Sequence, residues 1–105
     1  MNKKDPRTSI DNLTADAQRL GYQVREGEQF LRSDGKAEIM MDIEGHGELF
    51  EAYFIQNKRT GYWRFRRGFR HVGIKGDWYT TLEVFRALLR WSTPDTEEES
   101  RGQGG

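Results

Sequence analysis

Between residues 36 and 67, apolar side chains recur at every second position: Ile39, Met41 and Ile43, then Phe50, Ala52 and Phe54, then Trp63 and Phe65. A period of two is that of a strand, whose successive side chains point to opposite sides, so this stretch must build a sheet with one apolar face. The punctuation supports it. Asp34 and Gly35 read as a two-residue type I′ hairpin, Gly45, His46 and Gly47 as a turn, and residues 57–60 as another. Strands are therefore expected at 36–43, 48–56 and 61–67. Two shorter ones precede them, at Tyr22 to Arg25 and around residues 29–32, joined by a turn at Glu26 and Gly27. Connections this short leave neighbours antiparallel, giving a meander of about five strands, three of them long.

Pairing Gln56 with Gly61 sets Phe54 opposite Trp63, Ala52 opposite Phe65 and Glu51 opposite Arg66; the same logic sets Met41 against Phe50 and Ile39 against Ala52. One face is then almost wholly apolar. The other carries Glu38, Met40, Asp42, Glu51, Tyr53, Ile55, Tyr62, Arg64 and Arg66.

Helical spacing flanks the sheet. Ile10, Leu13, Ala17 and Leu20 fall on one face of a first helix, with Thr8 or Ser9 as cap, Asp11 in the first turn, Arg19 in the last and Gly21 just beyond. Leu82, Phe85, Leu88 and Leu89, supplemented by Val84 and Trp91, make the apolar face of a second. Thr80 and Glu83 have capping-box spacing before it, and Pro94 lies beyond its end. The expected fold is a single α+β domain over 8–92, both helices on the apolar sheet face. Residues 1–7 are expected to fray. Residues 93–105, with Glu97, Glu98 and Glu99, are expected to form a disordered acidic, Gly-rich tail.

Composition narrows the class. Aromatics reach 12% of 105 residues, which argues against a disordered chain, and no cysteine is present to make a disulfide or thiolate site. The longest uncharged stretch is six residues, 52–57, so no segment can span a bilayer. No secretory signal is visible, and a cytoplasmic setting is expected.

The net charge is zero but unevenly distributed. Residues 26–51 hold eight acids and two bases, a sum of −6; residues 58–76 hold seven bases and no acid, +7. Tyr62, Trp63, Phe65 and Phe69 are interleaved with those bases, and Arg outnumbers Lys five to two. Guanidinium groups bond phosphates and base edges with forked geometry, and flat rings stack on unpaired bases. The expected function is thus a non-enzymatic nucleic-acid-binding module, DNA or RNA. Its candidate residues are Lys58, Arg59, Tyr62, Arg64, Arg66, Arg67, Arg70 and Lys75.

Part of this segment has an ordinary explanation, because cross-strand pairs such as Glu51 with Arg66, or Arg64 with Tyr53, stabilise a sheet by roughly 0.2–1 kcal/mol each. Lys58, Arg59, Arg67, Arg70 and Lys75 are the bases left over. The alternative is a protein-interaction module, a small inhibitor or accessory subunit. Met40, Tyr53, Ile55 and Tyr62 would be its anchors, with self-association through the bipolar charge. The acidic tail could also fold over the basic segment and gate it.

Catalysis has little to draw on. His46 sits between glycines in a turn and His71 stands alone; Ser9, Ser33, Ser92 and Ser100 fall at caps, turns or the tail. Asp42, Glu44, Glu48 and Glu51 read as a solvated acidic edge, and no cofactor or metal is expected.

The order helix, three long strands, helix resembles the double-stranded-RNA-binding domain, which places basic residues at the start of its second helix; the matching stretch here is residues 73–77, including Lys75. The sheet-then-helix order is also similar to small DNA-binding domains that lay a basic sheet in the major groove. That likeness implies Tyr62, Arg64 and Arg66 as readers.

Overall fold

A computed structural model describes residues 5–94; the expected acidic tail, apart from its first two residues, and the first four residues of the expected frayed N-terminus lie outside them. The chain is α+β: α1 (Thr8–Arg19), β1 (Gln23–Leu31), β2 (Ala37–Gly45), β3 (Glu48–Gln56), β4 (Trp63–Val72), β5 (Lys75–Tyr79) and α2 (Leu82–Trp91). The five strands form one antiparallel sheet in sequence order.

Both helices cover the same face. Ile10, Leu13 and Ala17 from α1 and Phe85, Leu88 and Leu89 from α2 share a core with Ile39, Met41, Ile43, Phe50, Ala52, Phe54 and Trp63. Phe85 is fully buried and meets Phe50 edge-on at 5.9 Å, with Phe65 tilted against it at 5.5 Å. Gly68 lies beneath that ring, where even a methyl group would overlap it. Among the described residues no helix is long and apolar enough to cross a membrane.

The end of α1 follows the expected chemistry. Gly21 takes φ +95°, its N–H donates to the Gln18 carbonyl, and Tyr22 N–H reaches the Ala17 carbonyl at 3.0 Å, a Schellman motif. Its beginning differs: Thr8 and Ser9 lie inside the helix, and Arg7 occupies the cap position without a side-chain cap. Residues 5–7, part of the end expected to fray, make contacts with the sheet. Arg7 makes two hydrogen bonds to Glu26, at 2.6 and 3.2 Å, and the Pro6 carbonyl accepts the Trp63 N–H. The expected capping box of α2 does not form; Thr81 caps it with backbone alone. Val84 and Trp91, expected to supplement the core, are exposed, Trp91 at 80%.

The strand count is right but two members differ. The residues read as two short strands are one strand, β1, with a bulge between Glu26 and Gln29, and the fifth strand is β5. Register slips by two at each long hairpin. His46 and Gly47 both take positive φ, 54° and 77°, closing a two-residue turn in which Gly45 faces Glu48, so Met41 meets Ala52 and Ile39 meets Phe54. At the next turn Asn57 Oδ1 accepts the N–H groups of Arg59 and Thr60, the loop runs to Tyr62, and Gln56 pairs with Trp63. A two-residue slip keeps every side chain on its face, so the apolar face survives. At the 32–36 hairpin only Gly35 has positive φ (+85°), so a turn followed by a left-handed glycine replaces the two-residue type I′ turn.

Candidate functional site

With both helices on one side, the other sheet face is open. A bulge in β4 decides what stands there. Phe54 pairs with Phe65 but Tyr53 pairs with Arg67, leaving Arg66 as the extra residue. Beyond the bulge Arg67 and Phe69 join the open face, opposite Tyr53 and Glu51, and Trp78 of β5 pairs with Phe69.

These side chains interlock. The Arg67 guanidinium lies 4.1 Å from the Trp78 ring centre and 5.5 Å from that of Tyr53. Phe69 lies 4.6 Å from Trp78 and 4.8 Å from His71. Gly76 makes room for the Phe69 ring, which would overlap any Cβ placed there. His71 Nε2 is 2.9 Å from one Glu51 oxygen, and the Tyr53 hydroxyl donates to the other at 2.6 Å. Burial, followed by that carboxylate, pushes the Tyr53 phenol up to about 12. Cation–π contact of this kind stabilises a guanidinium by about 0.5–2 kcal/mol and leaves its donors for another partner. Among the described residues Arg67 Nε is buried without a hydrogen-bond partner, as is one oxygen of Glu38. Trp78 is 49% exposed, so much of this stack faces solvent.

The remaining candidates divide. Arg64, opposite Ile55, is exposed on the open face, and Lys58 and Arg59 are exposed at the β3–β4 turn near it. Arg70 leaves the set. It projects on the helix side, where Nε and one terminal nitrogen bond both oxygens of Glu48 at 3.2 and 3.3 Å, and those bonds raise its already high pKa. Tyr62 lines a small depression with Asp5, Pro6, Thr8 and Ser9, at the start of α1. The expected pairs Glu51–Arg66 and Arg64–Tyr53 are replaced by Glu51–Phe69 and Arg67–Tyr53, because of the register slip and the bulge. Lys75 is exposed at the start of β5, and residues 73–77 form the β4–β5 turn and strand, not the beginning of a helix as in the double-stranded-RNA-binding domain.

Of the alternative anchors, Met40 and Tyr53 are half-buried, while Ile55 is only 5% exposed and cannot serve as a free contact. His46 is structural: Nε2 lies 2.8 Å from the Leu20 carbonyl and its ring meets Tyr22 edge-on at 4.8 Å. The acidic edge is split, with Asp42 facing Glu51 on the open face and Glu48 turned to Arg70.

Sequence reasoning missed Trp78 altogether and named Phe69 only as one of four rings interleaved with the bases. The signal was present: Gly73 and Ile74 between Val72 and Lys75 are a glycine-first two-residue hairpin, and Gly73 takes φ +61°. Comparison with protein-family models, curated proteins and solved structures gives no match to this chain.

Proposed function

We propose that this chain is a nucleic-acid-binding module working through the open sheet face. The observation that carries the reading is the Arg67–Trp78–Phe69 stack, a cation held against half-exposed rings on a face that neither helix covers. Rings in this setting give bases a surface to stack on, while Arg64, Lys58 and Arg59 supply charge for phosphates at the adjoining end of β4. Arg67 is pinned by packing, so its guanidinium is oriented before a ligand arrives.

The test is binding of a labelled mixed-sequence oligonucleotide by fluorescence anisotropy across a salt series. Affinity should fall steeply with salt. Replacing Lys58, Arg59 and Arg64 by Ala should flatten the log–log slope by roughly 0.7–0.9 for each phosphate no longer neutralised. Absence of binding at low salt would refute the reading.

A further inference from the structure

We infer that the nucleic acid this face takes is single-stranded, with an unpaired base stacked on Trp78 and Phe69 and its backbone running along β4 toward the β3–β4 turn. The inference rests on the nucleic-acid reading and adds the substrate class.

The acids on the open face decide against a duplex. Asp42 and Glu51 stand opposite each other on β2 and β3, with Glu44 further along β2 on the same side. Neighbouring strands are only about 4.8 Å apart, so these carboxylates lie within roughly 10–15 Å of β4. A duplex carries a phosphate charge about every 1.7 Å of its axis and spreads its two backbones across grooves about 6 and 12 Å wide. With one backbone on Arg64 and Arg67, the other meets the acidic strands on one side or, on the other, runs past the edge strand β5 where no sheet supports it. Nor do the cations form the continuous row that two backbones need, since Arg70 faces the helices and is bonded to Glu48.

A single strand meets less of this acid: only Glu51 among these carboxylates lies beside β4, opposite Phe69, where Tyr53 and His71 already occupy its oxygens. It can follow the basic side of the sheet, about 30 Å along the ten residues of β4, without crossing to β2. An unpaired base also has an open face for Trp78, whereas the bases of a duplex are already stacked on one another.

The experiment uses the full 105-residue chain, a labelled mixed-sequence 20-mer, and the same 20-mer annealed to its complement, at matched salt. The single strand should bind at least about tenfold more tightly. Trp78→Leu should reduce single-strand affinity about tenfold and leave duplex affinity unchanged, while Trp78→Phe, which keeps a ring, should stay within about threefold of the parent. Thermal melts of both variants confirm the fold. Equal or tighter duplex binding, or Trp78→Leu binding the single strand as the parent does, would overturn the inference and leave the nucleic-acid reading standing. If neither form binds at low salt, that reading itself falls.

Discussion

Arg67 and Arg70 stand three residues apart on one strand, so alternation puts them on opposite faces, and the bulge at Arg66 decides that Arg67 is the one facing outward. On the helix side Arg70 is bonded to both oxygens of Glu48, beside a core of interlocking rings. On the open side Arg67 rests on Trp78 and Tyr53, its charge held by π faces. A charge neutralised by a carboxylate supports the fold; one held by rings keeps its hydrogen-bonding capacity for a ligand. Side chains facing the helices should therefore govern stability, and those facing outward should govern affinity.

The sharpest way to break that division is Phe85→Ala. It empties the space between Phe50 and Phe65 and should cost about 3–5 kcal/mol in urea unfolding. Gly68→Ala, which forces a methyl group into the same ring, should cost about 1–3 kcal/mol. By contrast Trp78→Ala should lower unfolding free energy by only about 1 kcal/mol, the scale of a cross-strand aromatic pair. It should nevertheless weaken oligonucleotide binding by about 1–3 kcal/mol in anisotropy titrations. If stability and affinity fell together in all three, the two faces would not have separate roles.

The two arginines sharpen the comparison. Arg70→Ala should destabilise by about 1 kcal/mol, the upper range for a partly exposed ion pair, and leave the salt dependence of binding unchanged. Arg67→Ala should do the reverse, reducing affinity with a smaller effect on melting.

The smallest effect is spectroscopic. Tyr53 is held at about 12 by burial and the Glu51 carboxylate, and burial also raises Tyr22, so Tyr53 should be among the late phenols in an alkaline absorbance titration, and Tyr53→Phe should remove one phenol from the late step. The sign follows from linkage. The folded pKa lies above the unfolded value of about 10, so the contribution of Tyr53 to stability is intact below pH 10 and disappears as pH rises through 12. An early, ordinary titration would mean that water reaches this phenol freely and that the stack around it is loose.

Much of the fold was legible because its signals are local. The period of two in Ile39, Met41 and Ile43 needs no knowledge of the partner strand, and neither does the Gly21 stop of α1. Register was harder, because it depends on loop geometry. His46 in the left-handed region and the Asn57 side chain bonding Arg59 and Thr60 each moved the pairing by two residues. The candidate site was read least completely for a related reason. Which face Arg66, Arg67 and Arg70 adopt is set by a bulge that alternation alone does not announce. Trp78 became visible only once β5 paired with β4. Of the leftover bases, Lys58 and Arg59 remain exposed, Arg67 acquires aromatic partners and Arg70 a carboxylate.

The division between faces is tested most directly by amide NMR during titration with an unlabelled single-stranded 20-mer. The account predicts shifts concentrated at Arg64, Arg67, Phe69 and Trp78, together with the Trp78 indole N–H, and little change at Phe85, Leu88 and Arg70. Shifts centred on α1 and α2, with Trp78 unmoved, would contradict it.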